Sequence, residues 1–83
     1  MPTVKHNISG HGWIKVVDAS ADFLLEVGRN APPVRVTYQT SQPSGNEVPY
    51  HFLFDREGMV RTASGHVYAR SHDGRETVVV VSI

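Results

Sequence analysis

Apolar and polar residues alternate with a period of two along most of this chain, and that alternation constrains the fold more than any other feature. In "PVRVTYQ", Val34, Val36 and Tyr38 fall on one side, read as inward, and Arg35, Thr37 and Gln39 on the other. In "DFLLEV", Phe23, Leu25 and Val27 oppose Leu24 and Glu26. "GWIKVVDA" sets Trp13, Lys15 and Val17 against Ile14, Val16 and Asp18, and "PYHFLF" sets Tyr50, Phe52 and Phe54 against His51 and Leu53, with Tyr50 read as inward. "MVRT" and "HVYAR" are shorter half-apolar runs. Successive side chains of a strand point to opposite faces of a sheet, so each run buries one side. The runs are also rich in the β-branched and aromatic residues that suit a pleated surface. Only "ASADFLLEVGR" offers a competing helical stripe, through Phe23, Leu24 and Val27.

Turn signals separate the runs: "ASA", "GRNAPP", "SQPSGNEVP", "DREG", "ASG" and "HDGR". Two read as hairpin connections, Asp55–Gly58 in "FLFDREGMVR" and Asp73-Gly74 in "VYARSHDGRETVVV". Pro32, Pro33, Pro43 and Pro49 fall outside the runs, where a missing N–H harms no ladder. About seven short strands with a turn between each predict one all-β domain, a small antiparallel β-sandwich or barrel-like fold. Residues 1–11 are set apart as an N-terminal arm, poorly ordered or interface-forming.

The chain of 83 residues is near the lower end of what one core supports, and such a chain buries only about 60–65% of the surface its unfolded form exposes. Disulfides, a metal or oligomerisation usually compensate. Cysteine is absent, which excludes disulfides and thiolate metal sites. The final run, Val78 to Val81, is apolar on both sides and asks for cover on both. An uncovered valine strand is an aggregation hazard, so a homo-oligomer is expected.

Eight Lys+Arg balance eight Asp+Glu, so the basic excess of a duplex-binding protein is missing, as is a polybasic membrane-binding run. No nucleic-acid or membrane partner is expected. The first residues lack the apolar core of a secretory signal, and no run approaches the ~20 residues of a membrane-spanning helix. A soluble product made in the cytoplasm is expected.

The five histidines, His6, His11, His51, His66 and His72, show no HxxxH spacing and read as surface residues rather than metal ligands; no cofactor is expected. "SHDG" places Ser71, His72 and Asp73 together, but neighbours in one turn cannot converge as a triad. They read as turn formers. The carboxylates sit in turns or beside basic residues, and an 83-residue sandwich leaves little room for a substrate cleft. Enzymatic activity is therefore not expected. Packing, in the core or between subunits, is assigned to Trp13, Phe23, Leu25, Val36, Phe52, Phe54, Val79 and Val81. Exposed contacts are assigned to Arg56 and Glu57 at one turn and His72, Asp73 and Arg75 at another.

Over about residues 12–82 the chain also resembles small β-rich structural proteins of tailed bacteriophages and prophages. The matching stretches are Trp13 with Val16, "FLLE" at 23–26, "VRV" at 34–36, Pro43 with Gly45, Gly58 with "VRT" at 60–62, "SG" at 64–65, "VYARS" at 67–71, Gly74 and "VVVS" at 79–82. The N-terminal "PTVKHNISGHG" and the long "QPSGNEVPYHF" depart from that pattern. The resemblance implies a virion component, a decoration, fibre-base or tail-associated module, often trimeric and contacting other virion proteins, with no catalytic residue. The alternative expectation is a module binding carbohydrate on a cell surface. In that case Trp13 has to be solvent-exposed.

Overall fold

The computed structural model describes residues 3–18, 22–43, 48–54, 57–62 and 65–83, with residues 59–62 described by their backbone alone. Within them lie eight strands: β1 (Thr3–Ile8), β2 (Ile14–Val17), β3 (Asp22–Val27), β4 (Val34–Gln39), β5 (His51–Leu53), β6 (Gly58–Thr62), β7 (His66–Ser71) and β8 (Thr77–Ser82). They form two four-stranded sheets, ordered β1-β8-β3-β6 and β2-β7-β4-β5, and every pairing is antiparallel. Two four-stranded sheets interleaved in this order make a jelly roll, the eight-stranded double Greek key. Residues 22–27 are a strand, so the helical alternative there is overturned. The strand beyond the sequence expectation is β1: the N-terminal segment pairs with β8 along its whole length, from Thr3↔Ser82 to Ile8↔Thr77.

The alternation works as expected on β3, β4 and β8. Phe23, Leu25, Val27, Val34, Val36, Val79 and Val81 all point between the sheets and are buried. Ile8, Val16, Val17, Val67 and Ala69 complete that core, with Ala31, Tyr38 and Leu53 packed against its margin.

Three local readings are corrected. On β2 the register shifts between Lys15 and Val17, a bulge that turns both Val16 and Val17 inward, so the regular alternation fails there. On β5 the register pairs Val34 with Leu53 and Arg35 with Phe52. Leu53 therefore meets the core, Phe52 stands on the outer face, Phe54 is 57% exposed and Tyr50, read as inward, is 40% exposed. Third, the two expected hairpins are not hairpins. β5 and β6 lie in different sheets, as do β7 and β8, so both turns are corners between layers. β4–β5 is the one consecutive pair joined within a sheet.

Outward residues of β8 answer the question of cover. Val78 and Val80 are half-buried, flanked on the outer face by Asn7 and Lys5 of β1 and by Glu26 of β3. Part of the cover expected from another subunit is thus supplied by the chain itself. Among the described residues no helix is long and apolar enough to cross a membrane.

Candidate functional site

The outer face of the β2-β7-β4-β5 sheet carries the densest cluster of polar and aromatic side chains. Strands β4 and β7 pair Arg35 directly with Arg70, so two arginines stand on neighbouring strands of one face. Each is held in the same way. Arg70 lies over the Trp13 ring, 5.8 Å from its centroid, and its Nη2 donates to His11 Nδ1 at 2.9 Å. Arg35 lies over the Tyr50 ring at 4.6 Å, and its Nε donates to His72 Nδ1 at 3.1 Å. A guanidinium has donors only, so both histidines accept through Nδ1 and carry their proton on Nε2.

Arg70 is 2% exposed, and its Nε also donates to the Ser71 carbonyl at 3.1 Å. Burial lowers its affinity for its proton below the ordinary arginine value, and the Arg35 charge adds to that, while Tyr50 opposes it. The described ends of the β4–β5 connection lie back on this face. Gln42 Nε2 donates to the Trp13 carbonyl at 2.7 Å, and Thr37 Oγ1 donates to the Pro49 carbonyl at 2.7 Å. Thr37, Tyr68, Arg70 and Trp13 are buried although they lie outside the inter-sheet core.

Two turns close the lower end. Gly10 N–H donates to the Gly74 carbonyl at 3.0 Å, joining the β1–β2 and β7–β8 turns. Asp73 accepts from the Arg75 backbone N–H at 3.1 Å and from Arg75 Nε at 2.6 Å. These bonds, the backbone one foremost, hold the Asp73 carboxyl below the usual range. Glu57 Oε1 accepts from the Phe54 N–H at 2.7 Å, which caps its own turn.

Several assignments from sequence move accordingly. Phe23, Leu25, Val36, Val79 and Val81 are core residues. Trp13 is 6% exposed but lies outside the inter-sheet core, beneath Arg70. Phe52 packs edge-on against Phe54 and against His72, at 4.6 and 4.5 Å between ring centroids, rather than into the core. His72 is not a solvated tip, because it is half-buried between Arg35 and Phe52. Asp73, Arg75 and Glu57 are exposed and engaged in their own turns. Arg56 lies outside the described residues, as do Asp55, Gly45 and Ser64.

Ser71 is fully buried and its Oγ is 3.5 Å from Asp73 Oδ1, while the His72 Nδ1 is occupied by Arg35. That geometry gives no activated nucleophile. Clefts of about 300 and 180 Å³ lie at the upper end of β4, sharing Tyr38 and Gln39; Pro49, Tyr50 and His51 line the larger. Among the described residues no three His, Cys, Asp or Glu side chains gather as a metal site. The arginine–histidine pairing escaped the sequence reading. Its one signal was that Arg35 in "VRV" and Arg70 in "YAR" both take outward positions.

A second surface is the outer face of the β1-β8-β3-β6 sheet. Val78 and Val80 run down its centre, and Leu24, 45% exposed, stands beside Ser82 on β3. Fold and surfaces together define a small jelly-roll sandwich with one self-covered and one barer outer face. The chain matches no protein-family model, no curated protein and no solved structure.

Proposed function

We propose that the protein is a non-enzymatic structural module of a phage or prophage particle that assembles as a homo-oligomer through apolar strand surface. The observation that carries this reading is the stripe of Val78, Val80 and Leu24 on the barer outer face, in a chain small enough to gain from added burial. Burial there contributes about 25 cal/mol per Å² before the costs of association. Jelly-roll sandwiches also serve in viral capsid domains, an analogy of architecture rather than of site. Other virion proteins would meet the exposed turns. Light scattering with size-exclusion chromatography tests the assembly: a mass that is a multiple of the 9.2 kDa chain supports it, and a stable monomer at micromolar concentration refutes it. Capsid or tail genes flanking the reading frame would support the particle role.

A second reading, a module binding cell-surface carbohydrate, is favoured by one observation. Tyr50, under the Arg35 guanidinium, and Phe54 are exposed aromatics, on an architecture that lectins also use. Trp13, buried under Arg70, does not serve. Glycan binding by a monomer, lost in Tyr50→Ala, would select this reading over the first.

A further inference from the structure

We infer that two copies of the chain pack their β1-β8-β3-β6 sheets face to face about a two-fold axis running along β8. The inference rests on the assembly reading above and specifies its contact. Lys5 and Glu26 are both Cα partners of Val80, one on each side, and both are exposed. Among the described residues neither enters an ion pair or a side-chain hydrogen bond. Two strand spacings, about 10 Å, separate them with Val80 standing between, and no ion pair joins them within the chain. Opposite charges are thus held apart symmetrically about an apolar centre line.

A second copy rotated by 180° about β8 exchanges left for right and keeps the position along the strand. Lys5 then faces the partner's Glu26, and Glu26 faces the partner's Lys5. Val78 and Val80 lie on the axis and meet their own counterparts. Asn7, the partner of Val78 on β1, faces the partner's Gly28, whose backbone N–H bonds the Val78 carbonyl at 2.8 Å. Bulky Leu24 faces the partner's Thr3, because both are partners of Ser82. An axis through Val80 lying across the strands would instead set Lys5 on the partner's Lys5 and Glu26 on the partner's Glu26. The pattern selects the axis along the strand. Aligned sheets pack with strands within about 30° at about 10 Å separation, which this axis permits. The contact is isologous, so each charge pair occurs twice.

The test is a set of charge reversals measured by sedimentation equilibrium on the full chain. The wild type should give twice the chain mass. K5E and E26K each place like charges opposite one another at both symmetric contacts, and each should raise the dimer dissociation constant about tenfold or more. A 1:1 mixture of K5E and E26K matches every charge again and should return within about threefold of wild type. The doubly reversed chain, K5E/E26K, should do the same. Should a reversal fail to fold, Lys5→Gln or Glu26→Gln takes its place and should weaken association about threefold. Unchanged association in the single variants, or no recovery on mixing, overturns the inference and leaves assembly by another face. A mass of three chains overturns the two-fold axis alone. A monomeric wild type removes the assembly reading itself.

Discussion

Substituting Gly74→Ala strikes the junction where the β7–β8 turn meets the buried arginine. Gly74 has φ of +88°, a conformation that disfavours a side chain by about 1–2 kcal/mol. A Cβ there would also stand 2.8 Å from His11 Nε2 and 3.0 Å from its Cε1, so the imidazole must move. His11 is exposed and can swing away, but its Nδ1 is the acceptor for Arg70 Nη2. Moving it strips a hydrogen bond from a guanidinium that is 2% exposed, and a lost buried partner costs about 1–3 kcal/mol. The two contributions give about 2–5 kcal/mol in total, a fall in Tm of ~10–40 °C for a domain of this size. A double-mutant cycle separates them. In a His11→Ala background the arginine bond is already gone, so Gly74→Ala should cost only the backbone strain, leaving a coupling of about 1–3 kcal/mol. Thermal and urea unfolding of the four chains measures this. Full additivity, with Gly74→Ala costing the same with and without His11, refutes the link from the glycine through the imidazole to Arg70.

Two further outcomes can be read on the wild-type chain and simple variants. Trp13 is 6% exposed beneath Arg70, so its fluorescence should resist acrylamide quenching and become quenchable in Arg70→Ala; strong quenching of the folded wild type contradicts its placement. The depressed Asp73 carboxyl stabilises the fold above its unfolded value of about 3.9, and that contribution disappears as pH falls through the lower folded value. Tm should therefore drop more steeply below pH ~4 in the wild type than in Asp73→Asn, and parallel curves would show that the turn contacts do not hold in solution.

Strands β3, β4 and β8 were legible because a regular strand in a two-layer sandwich obeys one local rule, period two. β2 was not, because a bulge is a decision of the partner strand: Val16 and Val17 are both buried only in the register that β7 imposes. The aromatic run "YHFLF" misled for a related reason. Size and apolarity favoured Phe52 and Phe54 as the inward set, yet Val34↔Leu53 pairing turns the smaller residue inward and leaves the phenylalanines on the rim. Asp73-Gly74 and Asp55–Gly58 carry the turn chemistry of hairpins, and a corner between sheets uses the same chemistry. Which it is depends on strands far away in sequence, here β4 and β2 for β7 and β1 and β3 for β8. The cluster on the outer face was hidden for the same cause. His11 and Arg70 are 59 residues apart, and the β2–β7 pairing, with the β1–β2 and β7–β8 turns meeting at the lower end, brings them together.

The two outer faces differ in a way that separates stability from assembly. One carries the described ends of the β4–β5 connection, Gln42 on the Trp13 carbonyl and Pro49 on Thr37, and its Thr37, Tyr68 and Arg70 are buried, which leaves little for a second copy to cover. On the other, among the described residues, Val78 and Val80 are half-buried with β1 and β3 flanking them. Adjacent valines of β8 should therefore fail differently. Val79 is fully buried between the sheets, so Val79→Ala should lower unfolding free energy by ~2 kcal/mol at every protein concentration. Val80→Arg places its change on the outer face, where a long side chain can reach water, and should leave the monomer fold intact. It should abolish association, and with it the rise of Tm with concentration that an oligomer shows. If Val80→Arg unfolds the dilute protein as Val79→Ala does, the outer valines belong to the fold itself and the assembly surface lies elsewhere. If Tm still rises with concentration in Val80→Arg, this face is not the contact.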